Sequence, residues 1–253
     1  MSAFSTSKVV VLAIAAGSAT GHAPVAHAEE PHWSYAGKDA AAGWGDLRPE
    51  FASCKLGTMQ SPIDIRGAQV AELPAIRFDY RPTPLNVVDN GHTIQVNYAA
   101  GSSIEVGGAH YELLQLHFHR PSEEKVDGHA HAMAVHLVHR NAEGQLAVVG
   151  VFLDPGGHNE MIDTVWTNLP KEKGKTVVGN ATVDAAQLLP ANRGYYTFEG
   201  SLTTPPCSEG VRWFVLKTPT KIGDDRIAAF ARIYPMNARP VQPLHGRELQ
   251  TTR

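Results

Sequence analysis

Two stretches of the chain alternate apolar and polar side chains in a way that predicts neighbouring β-strands. Residues 114–119 read Leu-Gln-Leu-His-Phe-His, and residues 133–138 read Met-Ala-Val-His-Leu-Val. Successive side chains of a strand point to opposite faces, so His117 and His119 share one face of the first strand. If the second strand pairs beside the first, His136 joins them on that face. The pattern therefore predicts a cluster of three imidazoles.

The same kind of pattern continues along the chain and predicts a mainly β fold. Short alternating or β-branched runs lie at residues 76–80, 85–88, 93–98, 103–106, 112–119, 130–139, 146–153 and 211–216. Turn formers such as Asn90-Gly91 and Gly107-Gly108 separate them. Helical spacing is limited to residues 159–168, 184–189 and 225–233. We expect a large, mostly antiparallel sheet with a few short peripheral helices.

The N-terminal residues 1–28 have the pattern of a secretory signal peptide. Lys8 precedes an apolar run at residues 9–16, which is too short to span a bilayer, and the segment ends in Ala26-His27-Ala28. A buried N-terminal helix is the alternative. We expect export, with a bacterial periplasm as the destination and residues 29–253 as a single domain.

The charge of the chain argues against some partners. Removing residues 1–28 takes away one lysine and no acidic residue, which moves the formal charge from −3 to −4. A weakly acidic chain without basic clusters is not expected to bind nucleic acid or an anionic membrane surface. No further apolar stretch is long enough to cross a membrane.

Three histidines with one open position form the ligand set of a catalytic zinc ion, whereas structural zinc sites close four positions and favour cysteine. The alternative is that these histidines are ordinary core or surface residues, since the chain contains 13 of them. In a regular strand His129, His131 and His139 fall on the face opposite His136, so we interpret them as non-ligands.

Several separated motifs together resemble the α-class carbonic anhydrases, in their exported bacterial form. They are Gln115–His119 with Ser122-Glu123 after it, His136–His139, and Gly200–Pro206. The resemblance extends from residues 32–35 to residues 237–243. It implies a twisted sheet of about ten strands with Zn²⁺ in a conical cleft, and reversible hydration of carbon dioxide to bicarbonate and a proton by zinc-bound hydroxide.

The resemblance also assigns residues that aim the hydroxide. Thr203 would accept a hydrogen bond from it, and Glu123 would accept the proton of Thr203. Taken alone, Glu123 could be a solvated charge and residues 201–206 an ordinary loop bounded by proline.

Carbon dioxide is small and apolar, and the resemblance implies a matching pocket. The substrate-pocket positions are Val138, Val148, Leu202, Thr204, Val211 and Trp213, most of which could equally be ordinary core residues. An open zinc position also implies binding of anions and sulfonamide inhibitors.

Proton export is assigned by the resemblance to His92, because an unperturbed imidazole titrates near neutral pH. The alternative is an exposed turn histidine. Tyr35, Asn90, Gln95 and Gln115 match polar positions that order water between His92 and the metal.

One departure from the family affects the environment of His136. Most relatives carry Glu two residues before the third ligand, whereas this chain has Ala134. It also has Glu124 where relatives place His. We hypothesise that Glu124 orients His136 directly, with an ordered water or a backbone carbonyl as the alternatives.

Cys54 and Cys207 are the only cysteines in the chain. In an exported protein they are expected to form one disulfide, which is also the pairing seen in bacterial relatives. Two free thiols would require a cytosolic protein and conflict with the signal peptide. The resemblance also allows a homodimer.

Three other functions remain open at this point. Zinc hydroxide can attack activated esters, which predicts an esterase side activity. A non-catalytic binding protein can share this fold, although such relatives typically lose a zinc ligand. Zinc storage would give metal binding without turnover.

Overall fold

The computed structural model describes residues 32–253, and the predicted signal peptide lies outside this range. The strands are β1 Asp64–Ile65, β2 Gln69–Val70, β3 Arg77–Asp79, β4 Thr83–Asp89, β5 Ile94–Asn97, β6 Ser103–Val106, β7 Ala109–His119, β8 Lys125–Val126, β9 His129–Ala130, β10 Met133–Arg140, β11 Leu146–Pro155, β12 Thr176–Val183, β13 Tyr195–Ser201, β14 Glu209–Ile222 and β15 Gln250–Thr251. The α-helices are α1 Trp44–Leu47, α2 Ser53–Leu56, α3 Glu160–Thr167 and α4 Asp224–Ile233. Single 3₁₀ turns occupy Gly37–Asp39, Ala41–Gly43, Pro49–Phe51 and Ala185–Leu188.

One sheet of 12 strands organises the described part of the chain, which confirms the predicted mainly β fold. Its order is β12-β4-β5-β7-β10-β11-β14-β13-β15-β2, and β6 pairs with both β3 and β7. Most neighbours are antiparallel, but β11 and β14 pair in parallel at the centre of the sheet, and β15 and β2 pair in parallel at its edge. A separate small sheet has the order β1-β8-β9.

The two faces of the sheet carry different side chains, as the alternation in β7 requires. Leu116 and Phe118 point into the larger core cluster, which also contains Met161, Val165 and Phe230 from the helices. Phe118 lies 4.9 Å from the ring of Trp166. Helices α3 and α4 therefore cover this face, and the histidines of β7 lie on the other one.

Helix α3 begins at a side-chain cap, because Asn159 Oδ1 accepts a hydrogen bond from the backbone N–H of Ile162 at 3.1 Å. Its apolar residues repeat at helical spacing and are buried against the sheet. Within residues 32–253 we find no helix with the length and apolar character that crossing a membrane requires.

Several predicted boundaries were wrong. The predicted strand 130–139 is two strands, β9 and β10, interrupted at residues 131–132. The predicted helix 184–189 is a single 3₁₀ turn. Strands β12 and β13 were not predicted, and neither were the two-residue strands, which exist only because a partner strand is beside them.

In the hairpin that joins β8 to β9, Asp127 and Gly128 both have positive φ, at 49° and 84°. The Asp-Gly pair was a usable signal for that turn.

Candidate metal centre

Strands β7 and β10 bring the three histidines together, as the alternation predicted. The antiparallel register pairs His136 with His117 and Ala134 with His119. One ligand atom from each histidine lies within 4.8 Å of the others. Within residues 32–253, this is the group of side chains that can hold a metal ion.

Each imidazole is held by a partner on its outer nitrogen. His117 Nδ1 lies 2.8 Å from Gln115 Oε1, and His119 Nδ1 lies 2.8 Å from the backbone oxygen of Asn237. His136 differs, because its Nε2 faces Glu124 Oε2 at 3.1 Å. An oxygen acceptor requires a proton on the ring nitrogen that faces it, which we call the outer nitrogen. The other, inner nitrogen keeps its lone pair: Nε2 in His117 and His119, and Nδ1 in His136.

The pKa values of His117 and His119 suit metal binding, whereas the raised pKa of His136 opposes it. Burial, together with the neighbouring His136, lowers the pKa of His117 to about 3 and the pKa of His119 well below its usual value. Burial also disfavours charge on His136, but the carboxylates of Glu124 and Glu123 outweigh it and raise the pKa of His136. Neutral imidazole is the form that binds a metal.

Three buried atoms in and around this cluster have no hydrogen-bond partner among the described residues, namely His119 Nε2, Glu123 Oε2 and Glu124 Oε1. The first two lie 3.4 Å apart, and Glu123 Oε2 is also 3.8 Å from His136 Nδ1. Unpaired buried polar atoms are costly, and a cation between the free nitrogens would compensate them. A three-nitrogen donor set suits zinc.

Glu123 is a fully buried carboxylate beside the cluster. Its Oε1 accepts a hydrogen bond from the backbone N–H of Arg239 at 2.7 Å. Burial raises the pKa of Glu123 to about 7, against the effects of His136 and of hydrogen bonding from Arg239 and the Thr203 hydroxyl. That hydroxyl favours the ionised form of Glu123 although its contact does not meet strict hydrogen-bond geometry. A divalent cation nearby would favour the same form.

The loop that carries Thr203 is fixed from several sides. Ser61 and Ser201 exchange hydrogen bonds of 2.8 and 3.1 Å through their hydroxyls and backbone N–H groups. The disulfide between Cys54 and Cys207 is present, as predicted. The backbone N–H of Cys207 donates to Thr204 O at 2.8 Å. Thr203 is therefore held close to Glu123 by contacts outside the metal centre.

The predicted apolar pocket residues form one cluster on the histidine face of the sheet. Register places Val138 beside Val148, and Val148 beside Trp213. Val211 belongs to the same cluster, and Leu202 packs against it. The ring of Trp213 lies 4.9 Å from that of His136. Thr204 is not part of the apolar cluster.

His92 is stacked on Trp33, with ring centroids 3.7 Å apart and planes 8° from parallel. Asn90 Oδ1 accepts hydrogen bonds from the backbone N–H groups of His92 and Thr93, both at 2.9 Å. Burial, with smaller effects of His32 and Lys173, lowers the pKa of His92 to about 4. His92 lies half-buried on the bend between β4 and β5, and its role in proton export stays a prediction.

The other predicted water-ordering residues lie in three separate places. Asn90 Nδ2 donates to Gln95 Oε1 at 3.4 Å, and Gln95 Nε2 donates to Asn97 at 2.7 Å. Gln115 is instead directed at His117. Tyr35 lies in an aromatic group, 5.4 Å from Trp33.

The histidines interpreted as non-ligands have other partners. His139 is buried and its Nε2 lies 2.9 Å from the hydroxyl of Tyr80. His131 Nδ1 lies 2.9 Å from Asp154 Oδ2. His129 is exposed in β9.

Sequence reasoning missed the residues after α4 that support the site. Asn237 holds His119 through its backbone oxygen, and its side-chain Oδ1 accepts from the backbone N–H of Arg120 at 2.7 Å. The Arg239 guanidinium donates to Cys54 O and Ser61 O, at 2.9 and 2.7 Å. Backbone acceptors leave no signal in residue type, so spacing alone could not have identified Asn237.

This fold and this site define a β-sheet protein with a group of three histidines that could hold a metal ion. A sequence profile of the family described as eukaryotic-type carbonic anhydrase matches residues 39–253. The chain belongs to this family, the carbonic anhydrases.

Similar proteins support the same assignment. A carbonic anhydrase of Nostoc sp. is 43% identical over 228 residues, covering 88% of this chain and 86% of that protein. One from Neisseria gonorrhoeae is 42% identical, with coverage of 90% and 91%. The α-carbonic anhydrase of Thermovibrio ammonificans, solved in complex with sulfanilamide, has a TM-score of 0.84 and 41% identity over 88% of this chain and 99% of that one.

Proposed function

We propose that this protein is a zinc enzyme that reversibly hydrates carbon dioxide to bicarbonate and a proton. The observation that carries the proposal is the buried three-histidine cluster, in which every outer nitrogen has an acceptor and the inner nitrogens are left for a metal. Zinc held by three neutral imidazoles makes a bound water acidic enough to supply a nucleophile near neutral pH, an effect for which carbonic anhydrase is itself the standard example.

His117, His119 and His136 would hold the zinc. Gln115, the Asn237 carbonyl and Glu124 fix the three rings, so that the ring nitrogens do not have to be reoriented when the ion binds. Rigid ligands reduce the entropy lost on binding.

Glu123 and Thr203 would orient the nucleophile. An ionised Glu123 is only an acceptor, so the Thr203 hydroxyl would donate its hydrogen bond to this carboxylate. Thr203 Oγ1 would keep its lone pairs free and could accept a hydrogen bond from the nucleophile. This arrangement selects one orientation of the nucleophile before carbon dioxide arrives.

The apolar cluster beside His136 would receive carbon dioxide. Its walls are Val138, Val148, Val211 and Trp213, with Leu202 at its edge. An uncharged substrate gains nothing from polar side chains here, and apolar walls exclude competing water. Binding of sulfonamides and inorganic anions would occur at the same open metal position.

His92 would accept the proton that hydration releases. A histidine with a pKa near neutrality suits this task, but the stacked ring has a pKa of about 4. His92 must therefore leave Trp33 before it takes the proton. Tyr35, Asn90 and Gln95 would order the water along this route.

Export through the signal peptide at residues 1–28 completes the proposal, with the bacterial periplasm as the destination. The Cys54–Cys207 disulfide supports it, because such bonds persist in oxidising compartments. A homodimer is compatible with this picture.

The test is stopped-flow hydration of carbon dioxide by the purified protein, before chelation, after chelation and after zinc is restored. We expect one zinc per chain, loss of hydration with the metal and recovery on its return. His119→Ala should abolish stoichiometric zinc binding, whereas His110→Ala, at an exposed position of the same strand, should retain it. Zinc binding with hydration at the uncatalysed rate would favour the non-catalytic or storage alternatives.

The same nucleophile can attack activated esters, so we propose a weaker esterase activity. The apolar cluster matches a small substrate better than an aryl ester. Parallel assays on carbon dioxide and an aryl ester should show much faster turnover of carbon dioxide, and the reverse order would make the esterase the principal activity.

A further inference from the structure

The third zinc ligand has an unusual source of support. On β10, the neighbours of His136 on the same strand face are Ala134 and Val138, and neither side chain can accept a hydrogen bond. The acceptor comes from another element, since Glu124 lies in the loop between β7 and β8. His136 and Glu124 are each about 1% exposed, and their side chains meet at 3.1 Å.

The Glu124 carboxylate also differs in chemistry from the acceptors on the other two ligands. His117 faces an amide oxygen and His119 a backbone carbonyl, both uncharged. A carboxylate is the stronger acceptor and makes the attached imidazole a more basic ligand. A change at Glu124 should therefore affect His136 more than a comparable change would affect the other rings.

The Glu124 backbone is held by Ser122, which lies at the centre of a small set of hydrogen bonds. The Ser122 hydroxyl donates to Glu124 O at 2.8 Å and accepts from the His131 N–H at 2.9 Å. The Ser122 N–H donates to His131 O at 3.1 Å. Ser122 is 2% exposed, so water does not compete for these bonds. We call these contacts the Ser122 clamp.

The clamp is attached to the rest of the fold at two points. Lys125, directly after Glu124, donates its backbone N–H to Ile63 O at 3.2 Å, beside the parallel pairing of β1 with β8. At the other point, Asp154 accepts from His131 Nδ1 at 2.9 Å and from Ala132 N at 3.3 Å. The position of Glu124 therefore depends on the small sheet and on the end of β11.

We propose that Glu124 is a positioning residue that fixes the His136 ring for zinc, and that Ser122 fixes Glu124. Zinc affinity then depends on a hydroxyl group outside the metal centre. This inference rests on the proposed function, because it takes zinc to bind at the three histidines.

The test measures zinc dissociation constants by competition with a chelator of known affinity. Glu124→Gln keeps the side-chain size, and we expect zinc affinity to fall about 10- to 100-fold. For Ser122→Ala we expect a fall of about three- to tenfold, from the loss of one buried hydrogen-bonding group. Ser102→Ala is the matched control, since Ser102 is also buried and its hydroxyl accepts from Arg81 N at 3.0 Å, in a contact that includes none of the three histidines.

A second readout separates positioning from general destabilisation. In the zinc-loaded protein, the proton on His136 Nε2 should give a downfield NMR signal because a carboxylate accepts it. We expect that signal to move upfield in Glu124→Gln and to broaden in Ser122→Ala. The Nδ1 proton signals of His117 and His119 should stay in place.

The outcomes distinguish this inference from the proposed function. If the unaltered protein binds no zinc at the three histidines, the proposed function fails. If it binds zinc and Glu124→Gln has the same affinity and the same His136 signal, the inference about Glu124 is overturned. If Glu124→Gln weakens binding but Ser122→Ala behaves like Ser102→Ala, the role of Ser122 is overturned.

Discussion

The stack between Trp33 and His92 leads to a quantitative prediction. The rings lie 3.7 Å apart, and burial of His92 in this position lowers its pKa to about 4. At pH 7 an imidazole with this pKa is protonated in about one molecule in a thousand, whereas a pKa of about 6.5 gives about one in four. The stack therefore keeps His92 neutral under working conditions.

Replacing Trp33 with Ala should remove most of this burial. We expect the pKa of His92 to rise from about 4 towards its ordinary value of 6.5, a difference of about 2.5. Trp33→Phe keeps an aromatic ring in the stack, so the pKa should stay low. The assay is an NMR titration of the His92 ring proton in each protein.

The same variants should affect turnover. Proton transfer is most efficient when the pKa of the transferring group lies near the working pH. In weak buffer we expect kcat for hydration to rise in Trp33→Ala while kcat/KM stays nearly unchanged, since proton export follows the hydration step. Thermal melts are needed as a control because Trp33 also packs 5.0 Å from Trp44.

Two results would refute this reasoning. The first is a pKa near 6.5 for His92 in the unaltered protein, which would mean that the stack is not the resting arrangement. The second is a His92 pKa that remains near 4 in Trp33→Ala, which would mean that neighbours of His92 other than Trp33 lower its pKa.

Three further predictions concern stability. In Gly200→Ala the added methyl group would lie 2.2 Å from Ser61 Oγ and 2.8 Å from Trp213 Cδ1, so we expect a loss of about 1–3 kcal/mol in denaturant unfolding and a lower kcat. Burial lowers the pKa of His139 to about 3, so as the pH falls the unfolded chain protonates His139 before the folded protein does. The free energy of unfolding should therefore decrease as the pH drops from about 6.5 to 3. His139→Phe should make the free energy of unfolding less dependent on pH in this range. Reduction of the disulfide, which spans 153 residues, should cost up to about 5 kcal/mol in the same unfolding assay, on the chain-entropy treatment.

Each stability prediction has a control or a contradicting outcome. Gly43→Ala is the control for Gly200→Ala, because its added methyl group meets nothing closer than 3.5 Å. An equal effect of both substitutions would contradict the steric argument. For His139, an unchanged pH slope in the Phe variant would show that other groups carry the acid dependence. A reduced protein as stable as the oxidised one would contradict the loop-closure argument.

The fold class and the grouping of the three histidines could be predicted from sequence because strand periodicity is local. His117 and His119 share a face in any regular strand, and that prediction needs no partner strand. Leu116 and Phe118 then had to enter the core on the opposite face, and they do. The strands β12 and β13 were missed because apolar and polar residues alternate only weakly along them. The two-residue strands were missed because only their hydrogen bonds to a neighbouring strand define them.

The sequence by itself determined which residues could bind zinc, and the tertiary structure decided how they are supported. The sequence showed that Ala134 and Glu124 differ from the residues of most relatives. Only the 3.1 Å contact between His136 Nε2 and Glu124 Oε2 identified the acceptor of His136 among the alternatives. The sequence likewise identified His92 but not its stack on Trp33. The physical reason is that side-chain direction follows from the local backbone, whereas hydrogen-bond partners and burial depend on segments far apart in the chain.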